Sequence, residues 1–455
     1  MSKRLKTNLL YLSVILIVPF YAYSQEVKKF TLREAQVYAL EHNYDVINAI
    51  TDIEIARKKV KENLAIGLPQ IDATAGYTNF IELPTQLIPA EFFGEEPGTF
   101  QEIQFGTQHN ATWNASLNQL IFSGQYIVGL MASQAYVGLV ETSLEKTQIE
   151  INNLIATSYY PVIILQENKK VFDSTLVSLN EMLYETDEYF KAGFLEDTDV
   201  DQLQLLISNM QTTITNLDNQ LQIARNMLKY MMGIPADVEI EVTDKMEDLL
   251  ASVDREFLLD SPFDYGQHID FILLKKQEQM AILQLKLNRS EYYPTINGFY
   301  TFQQDAMRNE FDFFNSSNSW YTNQMFGVNL SLPIFSSGYR KAKVQQARLE
   351  LNKLKVQENQ LQQGLSLKVR TVKSEFNNAY LVYQNKKNSV KNAEKIYQKT
   401  EVKYASGLST SLELSQTYNQ YLNTQIEYLT SILELLNKKA ELEKELTKAN
   451  YNYSN

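Results

Sequence analysis

The feature that most constrains this chain is that it is written twice. "YFKAGFLEDTDVDQLQLLI" (residues 189–207) returns as "YASGLSTSLELSQTYNQYL" (residues 404–422). Setting Gly193 on Gly407 gives an offset of 407 − 193 = 214, which also pairs Asp199 with Glu413, Val200 with Leu414 and Gln202 with Gln416. A glycine closing one periodic segment, followed by a Ser/Thr/Asp cluster opening the next, is the local grammar of a turn between two helices. Each copy therefore reads as the tip of a helical hairpin.

The duplication reaches further. "LNQLIFSGQY" (117–126) resembles "LSLPIFSSGY" (330–339), and "GLPQIDATAGYTNF" (67–80) resembles "YYPTINGFYTFQQ" (292–304). Each half runs helix, proline, strand, loop, strand, "IF", helix, glycine tip, helix, and repetition on this scale sets the architecture. The strands alternate. Ala111, Trp113, Ala115 and Leu117 interleave with Thr112, Asn114, Ser116 and Asn118, while Phe326, Val328, Leu330 and Leu332 interleave with Gly327, Asn329 and Ser331. Ile71, Ala73, Ala75 and Tyr77 form the third set, and Ile296, Gly298, Tyr300 and Phe302 the fourth. Such runs approach the ~9–11 residues of a tilted membrane strand, with small polar residues facing a wet lumen. Taken alone, they describe an ordinary half-buried sheet better than a membrane one. Helix length argues against that: Phe122 to Gly193 is 71 residues and Phe335 to Gly407 is 72, about 105–110 Å as single helices. The second carries a narrow seam (Val344, Ala347, Leu351, Leu354, then Leu361, Leu365, Val369, Val372, Phe376) among Gln, Asn, Lys and Ser, the pattern of coiled-coil packing.

Residues 1–24 place Lys3, Arg4 and Lys6 before an apolar run and read as a cleavable secretory signal; its loss takes the net charge from −12 to −12 − 3 = −15. A chain this acidic is unsuited to holding nucleic acid. There is no cysteine, so disulfides, thiolate metal sites and a lipid-modified N-terminal cysteine are excluded. His42, His109 and His268 are far apart in sequence, no phosphate loop or nucleophile elbow occurs, and neither a cofactor nor an enzymatic activity is expected.

With its secretory leader, duplicated strand pairs, "IF(S)SG" leading into long helices, glycine tips and the "MGIPAD" helix end at 232–237, the chain resembles the TolC family of outer-membrane efflux proteins over residues 25–448. The resemblance implies a mostly helical chain with a transmembrane β-barrel part, in which three protomers share a twelve-stranded barrel on an α-helical periplasmic tunnel. Four strands alone cannot close a barrel, and open edges are not tolerated in lipid. The expected layout is a first repeat at 25–240 (strands about 70–81 and 109–122, long helix 123–192, tip 193–199, return helix 200–232) and an equatorial connector at 241–266. The second repeat follows at 267–448 (strands about 294–304 and 322–335, long helix 338–405, tip 406–412, return helix 413–448), with a tail at 449–455. One helix is expected over about 32–68, a kink at Pro161, and an open outer loop over 81–108. Trp113, Trp320, Tyr321, Phe80 and Phe100 read either as membrane-interface aromatics or as loop packing.

The implied partners are two further copies of the chain, a periplasmic adaptor protein, through it an inner-membrane transporter, and outer-membrane lipid. The implied role is the exit duct of a tripartite efflux pump or a type I secretion system. Gly193, Phe194, Gly407 and Leu408 match the tips that face the adaptor; Asp199 and Tyr404 match positions that tie neighbouring hairpins shut; Glu413 and Gln416 match the lining of the closed entrance, where Gln416 and Ser409 depart from the family's acidic and basic residues. Simpler readings stand beside these. Asp199 is also a helix N-terminal charge, Tyr404 a seam residue, and Asp197, Thr198 and Ser411 helix caps. The competing whole-chain reading is a secreted coiled-coil structural or adhesive protein without a pore.

Overall fold

The computed structural model describes residues 27–94 and 96–449, so the expected leader 1–24 and all but the first residue of the expected tail lie outside the described residues. The chain opens with β1 (Lys28–Phe30), α1 (Leu32–His42) and α2 (Tyr44–Ile66). The single helix expected here is two, because Asn43 adopts an extended conformation (φ −65°, ψ 135°) and its Oδ1 accepts from the Asp45 and Val46 amides, at 2.8 and 3.3 Å. A side chain that caps a new helix competes with continuing the old one.

Then come β2 (Gln70–Asn79), β3 (Thr85–Pro89), β4 (Phe100–Gln104) and β5 (His109–Ser123). The outer segment is not an open loop: β3 and β4 pair as an antiparallel hairpin, from Thr85 opposite Gln104 to Pro89 opposite Phe100. The long hairpin of α3 (Gly124–Lys191) and α4 (Asp197–Met232) follows. Pro161 lies inside α3, which runs across it as one helix of 68 residues; the ring leaves the Thr157 carbonyl without its helical donor.

The connector holds β6 (Ile240–Val242), α5 (Met246–Ala251) and α6 (Arg255–Asp260), and then α7 (Ile269–Ser290), β7 (Thr295–Arg308), β8 (Tyr321–Ser331), α8 (Tyr339–Ala405) and α9 (Ser411–Leu446) complete the chain. β6 pairs in parallel with β1, so the "EIEV" stretch welds the two ends of the first repeat together. The connector is clamped to the middle of α8: Arg255 donates twice to Asn377 Oδ1 (3.0 and 2.7 Å), and Lys373 Nζ donates to the Leu259 and Ser261 carbonyls. Beneath it Tyr159, fully buried, donates to the Phe30 carbonyl at 2.9 Å. A core of Ile155, Val162, Phe376, Ile432 and Leu435 joins α3, α8 and α9 at this level.

The main sheet runs β2-β5-β7-β8, antiparallel throughout. Its register answers the alternation question. Ala75 faces Trp113, Trp113 faces Gln304, Leu117 faces Tyr300 and Tyr300 faces Phe326, so the apolar sets named above share one side. That side is bare on the edge strands, where Ile71 is 73% exposed, Phe326 87% and Val328 66%, and half-buried on the central ones. A half-buried soluble sheet would cover it.

Candidate functional site: the paired hairpin tips

Both tips are built the same way. Gly193 (φ 83°) and Gly407 (φ 72°) adopt the left-handed conformation that ends α3 and α8. In each, the glycine amide donates three residues back and the next amide five back: Gly193 to Phe190 and Phe194 to Tyr189, Gly407 to Tyr404 and Leu408 to Lys403, all at 2.8 to 2.9 Å. That pair of bonds satisfies the last carbonyls of the helix and turns the chain sharply. It throws Phe194 and Leu408 outward, each 78% exposed.

The return helices begin earlier than expected, at Asp197 and Ser411, because their caps are Glu196 and Thr410 rather than Asp197, Thr198 or Ser411. Asp199 accepts from the Glu196 amide in a capping box, and the Glu413 amide donates to Thr410 Oγ1. Relieved of capping, Ser411 is buried between the hairpins, its Oγ 2.5 Å from Asp199 Oδ1 and 2.8 Å from Gln202 Oε1. One turn before Gly407 at the same tip, the Tyr404 hydroxyl lies 3.1 Å from the hydroxyl of Thr186, itself 2% exposed. Burial, with the Asp199 carboxylate adding to it, holds the Tyr404 hydroxyl above its usual pKa, so it stays neutral.

The structure therefore brings Asp199 and Tyr404 to one seam between the two hairpins of the same chain, and leaves Glu413 and Gln416 on the exposed face of α9. Glu413 Oε2 accepts from Ser409 Oγ at 2.7 Å. Behind the seam Leu203, Met210, Leu414 and Tyr418 form a second core, where Tyr397 stacks on Tyr421 at 5.6 Å. Sequence reasoning missed Thr186 and the bridging role of Ser411. The repeat held one usable signal: 186 + 214 = 400, and Thr186 and Thr400 are both buried threonines two turns before a tip.

A bare apolar sheet carried on two hairpins of about 100 Å defines a membrane-embedded channel subunit. The chain belongs to the outer membrane efflux protein family, whose pattern matches residues 37–234 and 275–446. It is 21% identical to the outer membrane protein TolC of Salmonella enteritidis over 423 residues (88% of this chain, 80% of that protein). It is 23% identical to the solvent efflux pump outer membrane protein SrpC of Pseudomonas putida over 417 residues (87% and 82%). Among solved structures it is similar to VceC of Vibrio cholerae (TM-score 0.67, 16% identity, 92% of this chain and 97% of that one). It is also similar to the open-state MtrE channel of Neisseria gonorrhoeae (TM-score 0.65, 16% identity, 91% and 88%). The protein is thus an outer-membrane efflux channel, and its family is one of channels rather than enzymes.

Proposed function

We propose that three copies of the chain close one twelve-stranded barrel and form with their hairpins a tunnel that serves as the exit duct of a tripartite efflux pump or type I secretion system. The carrying observation is the sheet: β2 and β8 are unpaired edges of four strands whose apolar face is exposed. Pairing β8 of one copy with β2 of the next satisfies both edges, and 3 × 4 = 12 strands reaches the size of known outer-membrane barrels. Ile47, Ile50, Ile55, Leu64 and Ile66 on α2 are also exposed apolar side chains that neighbouring copies would cover. Phe194 and Leu408, beside Gly193 and Gly407, would meet the periplasmic adaptor, which links the duct to an inner-membrane transporter.

The tips would act as the gate, with two kinds of joint. Within a protomer, Tyr404 meets Thr186 and Ser411 meets Asp199. At the joint between protomers the repeat exchanges the partners: Phe190, which has no hydroxyl, takes the place of Tyr404, and Asp197 takes that of Ser411 opposite Glu413. The first joint is tied and the second sets like charges together, so the ring of six hairpins would part between protomers, with Glu413 and Gln416 at its lining. Single-channel conductance in a planar bilayer tests this. Ser411→Asp, which places like charge against Asp199, is expected to raise the open fraction, and Asp197→Ser to lower it. An unchanged conductance in both, or no pore in the native protein, would contradict the reading.

A further inference from the structure

Away from the tips, a cavity of about 730 Å³ opens between α1, the middle of α3, the connector and the end of α9. Asn152 lines it and is 5% exposed, yet neither its side-chain nitrogen nor its oxygen has a partner; the Asn153 oxygen beside it is also buried and unpaired. Leaving both halves of a buried amide unmade is costly and rare in a native chain. A donor and an acceptor held side by side fit one kind of group best, another amide.

Two further features bear on the same cavity. Lys444 and Lys448 stand on its wall with no carboxylate partner among the described residues, next to Glu443, whose carboxylate is held by Lys439. The Phe257 ring, 69% exposed on α6, offers an apolar face beside them.

We infer that this cavity is a binding site for a short acidic peptide segment, with a backbone amide on Asn152 and a carboxylate on Lys444 and Lys448. The assignment rests on the proposed channel only in placing the connector in the periplasm, where such segments can reach it. The amide sets the orientation through paired hydrogen bonds, and the lysines select for charge. The Asn152 amide has no counterpart in the second repeat, where residue 366 is serine, and the two lysines have none in the first, where the matching residues are Tyr230 and Ile234.

The full-length protein in detergent, titrated with fluorescein-labelled Ala-Glu-Ala-Glu and with the matched Ala-Gln-Ala-Gln amide, tests the site by fluorescence anisotropy. Saturable binding of the acidic peptide is expected. Asn152→Ala should weaken it about tenfold, the loss of a paired amide contact. Lys444→Gln with Lys448→Gln, which alters only the rim and leaves the fold intact, should bring the acidic peptide down to the affinity of the neutral one. Equal binding of both peptides to the native protein, or no binding at millimolar peptide, would overturn the assignment. Channel conductance measured on the same variants separates this failure from failure of the duct, since neither substitution touches the tips.

Discussion

The two halves of the molecule share a backbone plan and differ in how they are fastened. Their long helices have 68 and 67 residues and their return helices 36 each. In the first half, β5 is a central strand that passes directly into α3 through the Ser123 cap, and Phe122 is still paired to β7. In the second, β8 is an edge. It stops at Ser331, and the matching "IF" (Ile334, Phe335) stands in a loop at 89% and 84% exposure. Ser337 at φ 46°, followed by Gly338 at φ 84°, turns that loop into α8, while buried Arg340 holds it by donating to the Pro333 carbonyl at 2.7 Å. Identical sequence words therefore take different shapes because one strand has neighbours on both sides and the other lacks one. The return helices end differently too: α4 stops at left-handed Gly233 against the α1–α2 break, and α9 at extended Thr447.

That last contrast gives the largest expected effect. A Cβ at Gly233 would lie 2.2 Å from the His42 carbonyl oxygen, with the backbone already in the glycine region. Gly233→Ala should cost about 3 kcal/mol or more, whereas Thr447→Ala should stay within about 0.5 kcal/mol. Urea unfolding monitored by circular dichroism would show the gap, and equal losses would break the claimed difference between the helix ends.

A smaller difference separates the tips. Ser411→Ala removes the bridge to Asp199 and should cost about 1 kcal/mol, while Asp197→Ala, at the same place in the other repeat, removes only a contact to the Thr198 amide and should be near neutral. Hydrogen exchange at the two tips would resolve them.

The smallest effect depends on pH. Burial raises the pKa of Glu401 on α8 above its ordinary 4.5, an effect that a hydrogen bond to Tyr397 partly offsets. A carboxyl group raised on folding favours the folded chain while protonated, and that contribution is lost as pH rises through its folded value. Glu401→Gln should therefore become more stable relative to the native protein as pH climbs from 4.5 towards neutral. Melting temperatures with a pH-independent difference would remove Glu401 from the account.

Much of this was legible because period and repetition survive without any partner in view. Strand alternation in 70–79 and 321–331, and glycines at the ends of α3 and α8, are local signals that tertiary packing did not override. What stayed hidden depended on choices between equal alternatives. Asn43 could sit on a helix or cap one, and Glu196 rather than Asp197 won the capping contest because Asp199 could complete its box. The β3–β4 hairpin lacks clean alternation, with Pro89 in one strand and Pro97 and Gly98 in the turn. Of the residues at the seam, Asp199 and Tyr404 could be named from the family resemblance. Their contacts with Ser411 and Thr186 could not, since which side chains meet is decided only when the two hairpins pack together.

The central claim is that the unpaired edges β2 and β8 meet across copies of the chain. Cysteine substitutions at Ala73 in β2 and Val328 in β8, in a protein with no native cysteine, test it directly through oxidative cross-linking in outer membranes. A ladder ending at the mass of three covalently joined chains is predicted. Cross-links that stop at the monomer, showing the two edges closing on themselves, would contradict it.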